Sequence, residues 1–112
     1  MRESSRFVKG WRADIVTIAM AKWGQRPTLL GAVELHLDFV LLRPGSLPKR
    51  KPTPPAIKRP DWDKLSRAVC DALTSAQVYK DDSQVTIARV TKRIAEQEEK
   101  TGVWIHIREV AP

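Results

Sequence analysis

Apolar residues first recur at helical spacing. From Ser5 to Trp23, the residues Val8, Trp11, Ile15, Ile18 and Ala19 form one stripe, with Arg6, Lys9, Arg12, Asp14 and Lys22 off it. That is the pattern of an amphipathic helix. Gly24 offers a stop, and Pro27 forbids continuation. The period then changes to two. Val33, Leu35, Leu37, Phe39 and Leu41 alternate with Glu34, His36 and Asp38, predicting a strand with one wet face. Val40 and Leu42 break the polar half, so the far end of this strand is expected to be buried on both faces. Trp62, Leu65, Val69 and Leu73 return to helical spacing and predict a second helix ending near Thr74-Ser75. Val85 to Ile94 reads as a second strand. Its phase changes between Ile87 and Val90, which predicts a bulge near Ala88-Arg89. Glu96 to Gly102 reads as a polar hairpin loop. Val103, Ile105 and Ile107 then alternate with Trp104, His106 and Arg108 as a last strand. The fold class is α+β: a small mixed sheet packed with two helices.

Between the first strand and the second helix the composition shifts. Residues 43–60 hold Pro44, Pro48, Pro52, Pro54, Pro55 and Pro60, six of the chain's 8 prolines. Proline fixes its dihedral and lacks a donor, so this stretch is neither helix nor central strand. It also holds Arg43, Lys49, Arg50, Lys51, Lys58 and Arg59 and no acidic residue. Loops of this length inside a small domain are often functional. We read it as a mobile arm that contacts phosphates; the bland reading is a solvated linker.

Charge strengthens the first reading. The chain has 112 residues, the size of a single domain spanning 1–112, and a formal net charge of +7. A cationic excess favours a polyanionic partner, most simply nucleic acid. The single cysteine, Cys70, permits no intramolecular disulfide and fits a reducing cytosol. Neither a membrane span nor a secretory signal pattern is visible.

The candidate chemistry is carboxylate chemistry. Asp61 and Asp63 stand at the predicted entrance of the second helix, where extended backbone points alternate side chains the same way. A helix N-terminus tolerates such anions. Asp81 and Asp82 follow, between that helix and the next strand. If that strand starts beside the helix entrance, three or four carboxylates share one site. They repel one another unless a cation neutralises them. For an all-oxygen site beside phosphate the cation is Mg²⁺, with Mn²⁺ as the alternative. Two such ions roughly 3.5–4 Å apart suit phosphodiester hydrolysis. Each motif has a plainer reading. Asp before a helix is a favoured N-cap, and Asp81-Asp82 alone reads as a turn. Asp71 is expected to pair with Arg67 one turn earlier, and Cys70 to be a small buried residue. Trp62 is expected to anchor the helix start rather than to stack on bases. Trp11, Trp23 and Trp104 are expected in the core or an interface. His36 and His106 fall on strand patterns and are not needed for the chemistry.

Arg59-Pro60-Asp61-Trp62-Asp63-Lys64-Leu65, then Arg67-Ala68-Val69, Asp71-Ala72-Leu73 and Tyr79-Lys80-Asp81-Asp82-Ser83-Gln84-Val85, resemble the RusA family of Holliday-junction resolvases. Lys92-Arg93 and the closing Gly102-Val103, Ile105 and Ile107 continue the likeness. The resemblance implies a homodimeric, Mg²⁺-dependent endodeoxyribonuclease, cytoplasmic and bacterial or phage-encoded. Such an enzyme binds four-way DNA junctions and resolves them by symmetric paired nicks in recombination and repair. It implies Asp61, Asp63 and Asp82 as metal-binding catalytic carboxylates, with Asp81 as an auxiliary ligand. Arg67 stands where family members carry a functional lysine. Arginine keeps the positive charge but does not release its proton. DNA contacts are expected from Arg43, Lys49, Arg50, Lys51, Lys58 and Arg59, and from Lys64 and Lys80 beside the aspartates. The family also carries a strand before the first helix, where this sequence begins almost at the helix. The runner-up reading is a non-catalytic basic nucleic-acid-binding module whose aspartates serve as caps and turns.

Overall fold

The elements follow the hydrophobic pattern closely. In this computed structural model, residues 4–111 are described, with side chains from residue 11 onward. The expected stripe residue Val8 and the off-stripe Arg6 and Lys9 therefore have side chains outside the described set. Helix α1 spans Ser4–Trp23, strand β1 Val33–Leu41, helix α2 Trp62–Ser75, strand β2 Val85–Ile94 and strand β3 Gly102–Glu109. Gly24 closes α1 with φ +60°, a conformation that costs glycine nothing, and its N–H bonds to the Met20 carbonyl at 2.9 Å.

The three strands form one mixed sheet in the order β2-β1-β3, with β2 parallel and β3 antiparallel to β1. The most apolar strand thus takes the centre. Val33, Leu35, Leu37 and Phe39 face the helices and are almost wholly buried. Ala68, Val69, Leu65, Ala72 and Leu73 of α2 and Ile15 of α1 close over them. The Trp11 ring meets Phe39 at a centroid distance of 5.6 Å and a tilt of 54°, an arrangement aromatic pairs favour. Such burial supplies most of a small domain's stabilisation.

Several expectations need correction. Residues 95–101 are not a hairpin loop. They cross over the end of β1, because β3 pairs with β1 and not with β2. The irregularity in β2 lies at its start, where the register slips between Val33 and Glu34, and not near Ala88-Arg89. Val40 is buried as expected, but Leu42 lies past the strand and is exposed. Trp104 is 65% exposed.

An ion pair helps to pin the crossing segment. Arg93 donates through both terminal nitrogens to Glu99, each at 2.7 Å. Arg93 and the Glu96 N–H pull the Glu99 carboxyl down from 4.5 to about 2. A lowered carboxyl contributes stability above its unfolded value and loses it as pH falls through the folded one. The 95–101 segment is therefore expected to hold down to pH 4.5 and to loosen between there and about 2. Amide exchange at Lys100 and Thr101, followed against pH, checks this.

Candidate active site

α2 is entered through a short, well-held segment. The Lys92 ammonium donates to the Lys58 carbonyl at 2.8 Å and to the Pro60 carbonyl at 3.0 Å. Lys92 lies opposite Phe39 in the sheet register, so β2 itself positions the residues just before the helix. Pro60 is buried and Asp61 takes the N-cap position with extended backbone (φ −72°, ψ 145°). Its carbonyl accepts the Leu65 N–H at 3.1 Å. Its carboxylate makes no capping hydrogen bond. The plain N-cap reading therefore does not account for this side chain, which stands exposed and unspent. Asp63, in the first helical turn, is also exposed, as are Lys64 and Arg67. Trp62 is 59% exposed and does not anchor the helix against the core. Two carboxylates, an indole and two cations thus share the entrance of α2.

The 43–60 loop lies at this same end, between β1 and α2. It is tied rather than loose. Arg43 donates to the Thr53 hydroxyl at 2.6 Å and to the Lys51 carbonyl at 3.2 Å. Thr53 in turn donates to Glu96, Gln97 donates to the Lys49 carbonyl at 2.8 Å, and Pro55 bridges to Arg93. The mobile arm expected from composition is in this respect an anchored loop, and Arg43 serves its internal bonding. Lys49, Arg50, Lys51, Lys58 and Arg59 remain exposed. Of these, Lys58 and Arg59 immediately precede Pro60 and Asp61, while Lys49 lies beside Gln97 past the end of β2.

Asp81 and Asp82 lie elsewhere. β2 runs parallel to β1, so α2 runs back along the sheet and the entrance to β2 falls at the far end of α2. Asp82 accepts from the Thr74 hydroxyl at 2.6 Å and the Tyr79 hydroxyl at 3.3 Å. Thr74 is the penultimate residue of the 14-residue helix. At 1.5 Å per residue, Asp82 is roughly 15–20 Å from Asp61 and Asp63. The expected convergence of these aspartates within one chain does not occur. Among the described residues no three acidic, histidine or cysteine side chains gather as a metal-binding group. Asp81 is occupied differently again. Its carboxylate accepts the Ser83 N–H at 2.9 Å while Gln84 accepts the Asp81 N–H at 2.8 Å, a capping box on a short 3₁₀ turn. The Ser83 bonds lower the Asp81 carboxyl below its ordinary value. Exposed Lys80 sits at this end too, away from the loop cations.

The hydroxyls around Asp82 were not singled out from sequence. Burial pushes the Tyr79 phenol far above its ordinary value, so it stays a proton donor. It also donates to the Cys70 carbonyl at 3.2 Å. Cys70 is half-buried rather than buried. Burial raises its thiol, which keeps it protonated and inert. Asp71 pairs with Arg12 of α1 at 3.6 Å and not with Arg67.

The two histidines occupy the opposite face of the sheet. His36 bonds to Glu34, which Arg108 and then His36 hold below its ordinary value. With His106 and Ile107 these residues line a shallow hollow of about 400 Å³. It lies on the face of β1 opposite the one that meets the helices.

Lys92 was seen in sequence only as one of two basic residues. Its role as the clasp on α2's entrance predicts a measurable effect. Lys92→Met leaves the Lys58 and Pro60 carbonyls without their donor and is expected to cost about 1–3 kcal/mol. Urea denaturation reads that loss. A change below about 0.5 kcal/mol would mean that the clasp holds nothing in solution.

No helix among the described residues is long and apolar enough to cross a membrane. No curated protein matches the chain. The Endodeoxyribonuclease RusA family matches it over residues 3–108, nearly its whole length. With an α+β fold, paired acidic motifs and a basic loop leading to one of them, the chain belongs to the RusA endodeoxyribonuclease family.

Proposed function

We propose that this chain is a divalent-metal-dependent, structure-selective endonuclease that resolves four-way DNA junctions by symmetric paired nicks, working as a homodimer. The observation that carries this reading is the α2 entrance. Two exposed aspartates stand there, Asp61 without a capping role, at the end of a loop that exposes five cations. Mg²⁺ is commonly held by one or two carboxylates with several retained waters. Asp61 and Asp63 would hold one such ion, while Asp82 stands at the far end of α2. A bound Mg²⁺ supplies neutralised phosphoryl charge and an activated water.

The chain's own residues do the rest. Lys92 and buried Pro60 fix the approach to Asp61. Lys49, Arg50, Lys51, Lys58 and Arg59 hold the sugar-phosphate backbone against that point, with Lys64 beside them. Arg67 lies about one turn further along α2 and acts by charge alone, since it keeps its proton. A two-fold dimer presents two equivalent sites to the two equivalent strands of a junction.

The test compares a synthetic four-way junction with a linear duplex of the same sequence, in Mg²⁺, in Mn²⁺ and in a chelator. Paired nicks confined to the junction and abolished by the chelator are expected. Salt-sensitive binding without metal-dependent nicking would favour the binding-module reading instead. Binding should weaken steeply with salt, with a log–log slope near −5 if about six phosphates are engaged.

A further inference from the structure

The sheet has a second face. β1 turns Leu35, Leu37 and Phe39 toward the helices, so Glu34, His36 and Asp38 lie on the other side. The register sets Arg108, His106 and Trp104 of β3 beside them on one flank, and Ile87, Arg89 and Thr91 of β2 on the other. Both helices pack on the first side. On the second, Trp104, His106 and Arg108 are all exposed, and alternate residues of a strand stand about 7 Å apart. The indole lies between two hollows. One of about 400 Å³ takes in His36, His106 and Arg108, and one of about 160 Å³ takes in Val40, Lys100, Gly102 and Trp104 itself. A side chain at Gly102 would meet nothing within 4 Å, so the floor beside the indole is open.

Charge says what would lie there. Both carboxylates of β1 on this face are spent. Glu34 is held by Arg108 at 2.8 Å and by His36, and Asp38 by the Thr91 hydroxyl at 2.6 Å with Arg93 at 3.6 Å. The cations are not all spent. Arg108 gives Glu34 its Nε and one terminal nitrogen and keeps the other. Arg89 and Lys100 are exposed and make no hydrogen bond or ion pair among the described residues. Along β3, then, two exposed rings stand between Lys100 at one end and Arg108 at the other, with Arg89 to the side. Phosphates suit the cations, and unpaired bases suit the rings. A duplex keeps its bases stacked on each other and has no ring faces to offer. A protein partner fits less well. The exposed large apolar residues of this face, Ile87 and Trp104, stand on opposite edge strands with charge between them and form no continuous apolar patch. We propose that this face binds single-stranded DNA, its unpaired bases stacked on Trp104 and His106 and its phosphates running between Lys100 and Arg108. DNA is the polymer because the chain belongs to an endodeoxyribonuclease family. The strip lies on the sheet face away from α2, so it goes beyond the nuclease reading and does not depend on it.

The probe is a fluorescein-labelled oligo-dT of about eight nucleotides. It is titrated with the full chain, without metal and at about 0.2 M salt, where purely ionic binding is weak. Anisotropy reads the affinity. Trp104→Ala is expected to weaken it by about 10–100-fold, the scale of one lost base stack. A linear duplex measured alongside should change by less than about twofold, since the variant removes no charge. Trp104→Phe keeps a ring and should bind oligo-dT within about threefold of the wild type. Trp104 is exposed, so thermal melts of both variants should match the wild type. Indole fluorescence gives an independent reading. Oligo-dT should quench Trp62→Phe as it does the wild type, and should leave Trp104→Phe scarcely quenched. Unchanged oligo-dT affinity in Trp104→Ala overturns the proposal. So does an equal loss for duplex and oligo-dT, because stacking on one ring cannot act on bases that are already paired. Poly-glutamate that binds with the same dependence on Trp104 makes this a surface for acidic protein segments and overturns it as well. Junction nicking enters none of these readouts, so a failure of the nuclease reading leaves the result standing.

Discussion

Replacing Phe39 with alanine is expected to destabilise the domain by about 3–5 kcal/mol, the cost of emptying a large site in a packed core. Phe39 is fully buried at the middle of the sheet and meets the Trp11 ring of α1 at 5.6 Å. Its loss therefore loosens the sheet and the helix layer together. For a domain of this length the thermal midpoint should fall by roughly 10–20 °C. Phe39→Leu keeps most of the volume and should lose far less, typically under about 1.5 kcal/mol. Urea melts of both variants separate packing from any loss specific to the ring. An alanine variant within about 1 kcal/mol of the wild type would mean that the β1 side chains are not the centre of the core.

That core was legible because a single strand carries it. Five alternating apolar residues in β1 fix which face meets the helices, and period two allows no other arrangement. Leu65, Val69 and Leu73 likewise face inward as their spacing requires. Trp62 keeps the same spacing and does not, because a residue at the first helical position lies beyond the edge of what the helix covers. Partner choice among strands was not legible. Alternation says which side of β3 is apolar, but not whether β1 or β2 lies beside it. The sheet order β2-β1-β3 supplies that information. The same gap hid the position of Asp82. Asp82 follows α2 in sequence, yet only the parallel pairing of β1 with β2 says at which end of α2 it comes to rest. Cationic composition also told less than structure does. Six charges in residues 43–60 read alike in sequence, but Arg43 is bonded inward to Thr53 and the Lys51 carbonyl. Lys92 stands in the sequence only as part of the basic Lys92-Arg93 of the family likeness, and its two backbone acceptors are a product of the fold.

The largest effect on activity is expected at Asp63. Asparagine there keeps size and shape and removes the charge, so it tests the carboxylate and little else. Junction nicking in Mg²⁺ should fall by about 10²–10³-fold, the scale of removing one preorganised electrostatic group from a reacting centre. Junction binding in the absence of metal should hold or tighten, because an anion facing phosphate has gone. The fold should barely notice. Asp63 is exposed in the first turn of α2, where an anion's favourable interaction with the helix end is worth about 0.3–1 kcal/mol. Asp61→Asn should behave alike, and the double variant should be scarcely worse than either single one. Groups that hold one ion act as a unit, so removing the first partner already forfeits what the second contributes. Single-turnover nicking of the three variants, beside their thermal melts, distinguishes this from mere loss of charge. Independent contributions would instead multiply, and the double variant would fall by the product of the single effects. Undiminished nicking in Asp63→Asn would remove Asp63 from the chemistry and return it to the ordinary business of starting a helix.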